Sequence, residues 1–229
     1  MLEHEHDVLA LTLPGHAGGP PLGEAATVDE LIDAVEHMLD AENLQLPHLV
    51  GNSLGGYVAL RLAARGRAAS VVAFAPAGGW LPGDRTYTVL LQTQRGLHEY
   101  AKAAPPRTEA SLATSEARRV ATRLIATNFE HIPAELLVHQ TRGIAGCHGA
   151  EPLIEAALSD GWELDASSIG CPVRIVWGTA DMLLTWPQAA LHYRAVLPHA
   201  DWVLLDGIGH CPQLDVPVEA AQLILGFTT

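Results

Sequence analysis

The segment Gly51-Asn52-Ser53-Leu54-Gly55-Gly56 holds a serine in the spacing Gly-x-Ser-x-Gly. It follows a short apolar run over residues 46–50 and opens a helical pattern over residues 57–64. A strand, a tight turn and a helix in that order force the serine into a strained backbone conformation and lift its hydroxyl clear of the sheet edge. Glycines on either side of it are expected where a Cβ would clash with the adjoining strand and helix. The start of the helix leaves free N–H groups, that of Leu54 first among them, aimed at any oxyanion that forms beside the serine. Such a turn serves nucleophilic attack on a carbonyl. The plain alternative is a serine that only caps the helix.

A serine hydroxyl is a weak nucleophile at neutral pH. It needs a base within hydrogen-bond reach, and that base needs an orienting group. Two downstream loops offer them. Residues 173–177 read as a buried strand running into Gly178-Thr179-Ala180-Asp181, and residues 202–205 as a strand leading into Asp206-Gly207-Ile208-Gly209-His210. Asp181 and His210 thus sit just past strand ends, on the sheet edge that also carries Ser53. Asp206 is the rival acid, although its position suits the end of a strand and the shaping of a turn. Asp181 could also cap a helix expected from Pro187. Cys211 adjoins His210 but is expected to be a small buried packing residue.

Leu13-Pro14-Gly15-His16, the serine turn, Trp177-Gly178-Thr179-Ala180-Asp181 and Gly209-His210 spread over most of the chain. Their combination resembles the α/β-hydrolase superfamily. The resemblance implies a mostly parallel sheet flanked by helices, with a helical cap inserted. It implies the chain order Ser, Asp, His, with Ser53 as nucleophile, His210 as general base and then acid, and Asp181 as orienter. Leu54 N–H is implied as an oxyanion donor, and no cofactor is needed. The asparagine after the first glycine is similar to that of the meta-cleavage-product carbon–carbon hydrolases, and many esterases share it. The implied activity is hydrolysis of an ester, or less readily a C–C bond, of a small apolar carbonyl substrate. An aspartate at the nucleophile position would imply a dehalogenase or an epoxide hydrolase, and Ser53 departs from that.

The start of the chain departs from the family pattern. Residues 8–11 resemble the family's fourth strand, and no His-Gly-type loop precedes Pro14. The N-terminal strands and the oxyanion loop are therefore missing from the pattern. The expectation is that the 8–11 strand pairs directly with the 46–50 strand and the sheet closes up. With one oxyanion donor gone, the alternative function is an impaired hydrolase-fold protein that acts as a ligand-binding module.

Other elements follow from local signals. Thr27 and Glu30 form a capping box for a helix with Leu31, Val35, Met38 and Leu39 on its apolar face. Residues 70–75 read as a buried strand. The character changes between residues 80 and 169, where helices are expected over 87–103, 109–127, 134–145 and 152–158, broken at Pro105-Pro106, Pro133 and Gly146. This divides the chain into core (1–79), cap (80–169) and core (170–229). Trp80, Tyr87, Leu91, Phe129, Leu137 and Trp162 are candidates to line a substrate pocket, or else to pack the cap helices together. Helices are expected again over residues 187–197 and 216–227.

At 229 residues and 48% hydrophobic, the chain suits one α/β domain with an insertion. Its net charge of −13 opposes binding to a phosphate backbone. The cysteines Cys147, Cys171 and Cys211 are odd in number, lack metal-like spacing and fit a reducing cytoplasm. The twelve histidines are scattered, and no metal site is expected from them. No signal-peptide pattern is seen, and no run approaches the roughly 20 apolar residues of a membrane helix. A small-molecule substrate is the one partner implied.

Overall fold

Four short apolar segments form one parallel sheet in the computed structural model of this chain, which describes residues 1–23, 27–104, 109–159 and 161–228. They are β1 (His48–Asn52), β2 (Ser70–Phe74), β3 (Val173–Gly178) and β4 (Asp201–Leu205), in the order β1-β2-β3-β4. Every neighbouring pair is parallel, so all four C-terminal ends lie on one edge. β2 is buried at every position, as expected of a central strand covered on both faces.

The helices of the core cover the two faces. On one face, α1 (Val28–Ala41) packs Leu31, Ile32, Val35 and Leu39 against Val58 and Leu62 of α2 (Leu54–Ala64). The Thr27 hydroxyl accepts the Glu30 N–H at 3.1 Å, the N-terminal half of the expected capping box. The same face buries Tyr57, Leu60, Val71, Ile175 and Trp177 in the main core, and each fully buried side chain of this size contributes about 1.5–3 kcal/mol. On the other face, Ala220 and Ile224 of α9 (Pro217–Leu225) pack on Val72, Phe74 and Val176. Five ion pairs among the described residues tie α1 to α2 and the turn after it: Arg61 with Asp29, Arg65 with Asp33 and Glu36, and Arg67 with Glu36 and Asp40.

Between β2 and β3 the described chain is helical: α3 (Thr86–Ala103), α4 (Ser115–Thr122), α5 (Ala134–Ala145) and α6 (Ala150–Ser159), with short 3-10 turns. The helix expected over 109–127 is a 3-10 turn followed by α4, and the chain then turns through residues 123–125. The Pro105-Pro106 break lies outside the described residues. After β3 come α7 (Leu191–Val196) and, beyond β4, α8 (Pro212–Asp215) and α9.

Residues 8–11 correct one expectation: they form no strand and do not pair with β1, so the sheet does not close up around them. The reason lies in their anchors. Leu2 packs with the α9 cluster on one face of the sheet, and His6 Nε2 bonds Thr228 Oγ1 at 2.8 Å. Leu11 and Leu13 pack with the α1–α2 cluster on the other face. The intervening chain must cross the β1 edge from face to face, and so cannot run along it in register. A hollow of about 470 Å³ remains beside β1, bordered by residues 6–11, Val35, Leu39, Val50 and Gly55. Val8, Leu9 and Val50 stay exposed there.

Candidate active site

Ser53 lies in the turn between β1 and α2 with φ 55° and ψ −118°, a left-handed conformation that non-glycine residues rarely adopt. Its side chain makes no capping bond, which opposes the plain helix-cap reading. The strain is held by bonds on both sides. Ser53 N–H donates to Phe74 O at 2.9 Å, and Ser53 O accepts the N–H groups of Tyr57 (3.1 Å) and Ala77 (3.0 Å). A Cβ at Gly51 would come within 2.1 Å of Gly55 O, so the turn closes only over a glycine there. Gly55 differs from expectation: a Cβ on it meets nothing within 4 Å, because it faces the hollow beside β1. The second crowded glycine is Gly56, whose Cβ would lie 3.0 Å from Pro76. Leu54 opens α2, and its N–H has no acceptor within the helix.

His210 follows β4 and is buried, at 4% exposure. Its Nδ1 lies 2.7 Å from Asp181 Oδ2. Asp181 Oδ1 accepts the N–H groups of Leu183 and Leu184, both at 2.8 Å. The carboxylate accepts only, so Nδ1 carries the proton and Nε2 keeps its lone pair. Asp181 does not cap the helical turn that follows Pro187, which has no side-chain cap; its Oδ1 instead orders the loop directly after β3, and that is the oxygen His210 does not use. Asp206 instead accepts the Thr179 hydroxyl at 3.0 Å, a turn-shaping bond.

The His210 loop reaches the Ser53 side by crossing the end of β3. Gly178 permits the crossing, since a Cβ there would sit 2.2 Å from Ile208 O and 2.4 Å from Gly209 O. Asn52, directly before the serine, then holds the loop. Its Nδ2 donates to Phe74 O and His210 O, both at 3.0 Å, while its Oδ1 accepts from Cys211 Sγ (3.3 Å) and Gln213 Nε2 (3.1 Å). Neither Asn52 nor Gly178 stood out in the sequence as a positioning residue. His16, in the turn singled out with the other motifs, bonds Pro14 O through Nδ1 and orders its own loop.

Cys211 is a buried thiol held in its neutral form. Burial pushes its thiol up to about 12, with the Asp181 and Asp215 carboxylates adding to the shift. The thiol is neutral in both states below the unfolded value near 9.0. Above that value the unfolded chain loses the proton while the folded one keeps it. Stability should therefore fall by about 1.4 kcal/mol per pH unit through the window from about 9 to about 12. Thermal melts across that range should show a steeper decline for the native chain than for Cys211→Ala; equal slopes would contradict the assignment. Tyr193, buried and bonded to Ala77 O, is raised in the same direction and leaves a residual slope in both.

The candidate pocket residues separate into groups. Trp80 stacks near Tyr87 (5.5 Å between ring centres) and Trp162 (6.1 Å), and Trp162 meets Tyr57 edge-on at 5.0 Å. Trp162 also packs against Gly78, one residue beyond Ala77, which bonds Ser53 O. Leu91 is buried among Ile154, Ala157 and Trp162, between α3 and α6. Leu137 is buried with Leu112, Ile132 and Val138, and Phe129 packs on that cluster. Among the described residues no group of three or more His, Cys, Asp or Glu side chains could hold a metal ion, and no helix is long and apolar enough to cross a membrane.

A family profile described as "Alpha/beta hydrolase family" matches residues 2–223. The chain belongs to the α/β-hydrolase family. It is 31% identical over 204 residues to epoxide hydrolase EphH of Mycobacterium tuberculosis, an alignment covering 86% of this chain and 92% of that protein. It is 25% identical over 232 residues to the dihydrolipoyllysine-residue acetyltransferase component of the acetoin cleaving system of Pseudomonas putida; the alignment covers 99% of this chain but 57% of that one. Among solved α/β-hydrolase folds it is similar to the enol-lactonase of Burkholderia xenovorans LB400, with a TM-score of 0.66 at 18% identity over 94% of this chain and 78% of that one. A bacterial membrane phospholipase A superposes with a TM-score of 0.68 at 22% identity, over 94% and 67% of the two chains.

Proposed function

We propose that this chain is a serine hydrolase that cleaves an ester of a small apolar carbonyl substrate. The observation that carries the reading is the buried His210 Nδ1–Asp181 Oδ2 bond of 2.7 Å, which leaves Nε2 free to accept a proton on the sheet edge that holds Ser53. Ser53 Oγ attacks the carbonyl carbon as His210 Nε2 takes its proton. The negative charge moves to the carbonyl oxygen, where Leu54 N–H and the start of α2 stabilise it. Collapse breaks the ester C–O bond, and the imidazolium returns the proton to the leaving alkoxide. Water then attacks the acyl-serine with His210 again as base, releasing the acid and restoring Ser53. The Trp80–Tyr87–Trp162 group supplies an apolar wall beside the acyl group, with Leu91 packed behind Tyr87 and Trp162; Phe129 and Leu137 pack in a separate cluster of the insertion. No cofactor takes part in this scheme.

A C–C bond of a ketone-type substrate would pass through the same tetrahedral species, but it needs a carbanion as leaving group, so the ester is the simpler substrate. The relative named as an epoxide hydrolase raises a different reading for this chain. Opening an epoxide with Ser53 would leave an ether, which water and an imidazole do not cleave. A carboxylate nucleophile would leave a hydrolysable ester, and position 53 is a serine.

The non-enzymatic reading, a ligand-binding module, is favoured by one feature: Leu54 supplies a single oxyanion donor at the elbow. Loss of a second donor costs about two to three orders of magnitude in turnover. A fluorophosphonate probe separates the readings. A mass adduct on the peptide holding Ser53, with slow turnover of a p-nitrophenyl ester, is the expected result. Folded protein that takes up no adduct would leave the binding module standing.

A further inference from the structure

His210 sits in a loop held from two sides, and the second side is the helical insertion. We propose that Asp215 is a positioning residue that clamps the His210 loop to the turn after α4, so that the insertion helps to aim the base. The proposal rests on His210 being the base of the reading above.

The carboxylate of Asp215 is buried, and it is bound by N–H and O–H donors from the loop of His210 and from the insertion. Its Oδ1 accepts the N–H groups of Thr127 (2.7 Å) and Asn128 (2.6 Å), both from the insertion. Its Oδ2 accepts Gly209 N–H at 2.6 Å, one residue before His210. One carboxylate therefore joins two chain segments more than 80 residues apart, 88 from Thr127 and 6 from Gly209. Three further bonds repeat the connection. Cys211 N–H donates to Ile125 O at 2.8 Å, Thr127 Oγ1 donates to Gly207 O at 2.9 Å, and His131 Nε2 donates to Leu214 O at 2.8 Å. The bonds to Gly209 and Cys211 bracket His210, while Asn52 holds its carbonyl from the Ser53 side. The imidazole itself is reached by none of them, so Asp215 acts through the backbone. The contact is also tight: a Cβ at Gly209 would lie 3.0 Å from both Asp215 Oδ2 and Ile125 O. A shift of the insertion is passed to the His210 backbone with little slack.

Asparagine at position 215 can keep one half of the clamp. If its oxygen faces Thr127 and Asn128, its amide N–H₂ meets Gly209 N–H, donor against donor. The test compares Asp215→Asn with the native chain by ester kinetics, by the rate of fluorophosphonate labelling, and by the downfield proton resonance of the His210–Asp181 hydrogen bond. The expected result is a fall in kcat and in labelling rate on the order of ten- to a hundred-fold, with KM changed little, because a misaimed base costs that much. The downfield resonance should broaden through exchange with water. Folded Asp215→Asn protein with unchanged kcat and an unchanged resonance overturns the proposal. If the variant does not fold, Thr127→Val takes its place. It removes the hydroxyl's bonds to Gly207 O (2.9 Å) and to Asp215 Oδ2 (3.3 Å) and leaves both N–H groups on Asp215, so a several-fold fall in the same quantities is expected, and none overturns the clamp. If the native chain takes no label, the hydrolase reading fails, while the resonance still reports whether Asp215 orders His210.

Discussion

Replacing Ser53 with alanine is expected to remove ester turnover and probe labelling together, a loss on the order of 10⁴- to 10⁶-fold in kcat. Nothing else at the elbow can take over. Cys211 is held as a neutral thiol that donates to Asn52, and the Ser53 side chain makes no capping bond whose loss would disturb the helix. The same position offers a stability test that an ordinary surface serine would not. At φ 55° a Cβ costs about 1–2 kcal/mol relative to glycine. Ser53→Gly releases that strain and gives back part of it, about 0.5–1 kcal/mol, through the freer unfolded chain. Ser53→Gly should therefore melt a few degrees above Ser53→Ala while being equally inactive, roughly 2–4 °C for each kcal/mol in a chain of this size. A Ser53→Ala protein that still hydrolyses ester at the native rate would remove the nucleophile from the reading. A Ser53→Gly protein less stable than Ser53→Ala would show that the elbow is unstrained.

The elbow was legible because its requirements are local. A positive φ, a flanking glycine with no room for a Cβ and a free helix start all fall within six residues. Asp181 and His210 were legible from strand-then-loop patterns, since parallel strands put every such loop on one edge. The devices that aim them were not. Asn52 reads as one polar letter, and its partners in the His210 loop lie 158 to 161 residues away. Gly178 reads as a strand end, yet what it makes room for is the return of another loop. Asp215 carried no signal in the sequence: it lies in the short α8 before Val216-Pro217, and its partners Thr127 and Asn128 belong to a different stretch of chain. The run at residues 8–11 failed for the opposite reason. Four apolar letters fit a strand, but a short run does not state where its two ends are tied, and here they are tied to opposite faces of the sheet. Gly55 belongs with that error: the expected steric neighbour is absent because no strand among the described residues pairs with β1 on that side.

The open flank of β1 also bears on rate. Ser53, the proposed nucleophile, follows the edge strand β1, and the hollow beside that strand is bordered by Gly55 of the helix start. Water reaches such a flank more readily than it would a strand covered on both edges. A hydrogen bond to a developing oxyanion is worth less where water competes for it. Slow turnover with intact labelling is thus the combined signature expected of this chain.

Asp181→Asn is expected to lower kcat by about four orders of magnitude while leaving the fold and KM nearly unchanged. The asparagine oxygen can still accept the N–H groups of Leu183 and Leu184, so the loop after β3 keeps its shape. Its amide nitrogen then faces His210 Nδ1 and can only donate. The imidazole must present a lone pair there, its proton moves to Nε2, and Nε2 no longer accepts a proton from Ser53. Asp181→Ala should be no more active and clearly less stable, because it leaves two N–H groups without an acceptor at about 1–3 kcal/mol each. Asp206→Asn is the control, since that carboxylate bonds the Thr179 hydroxyl and does not reach His210. Steady-state kinetics and melting curves of the three variants decide the matter. If Asp206→Asn impairs turnover more than Asp181→Asn does, the orienting acid has been misassigned, and the short His210–Asp181 bond is a packing contact rather than the source of the base.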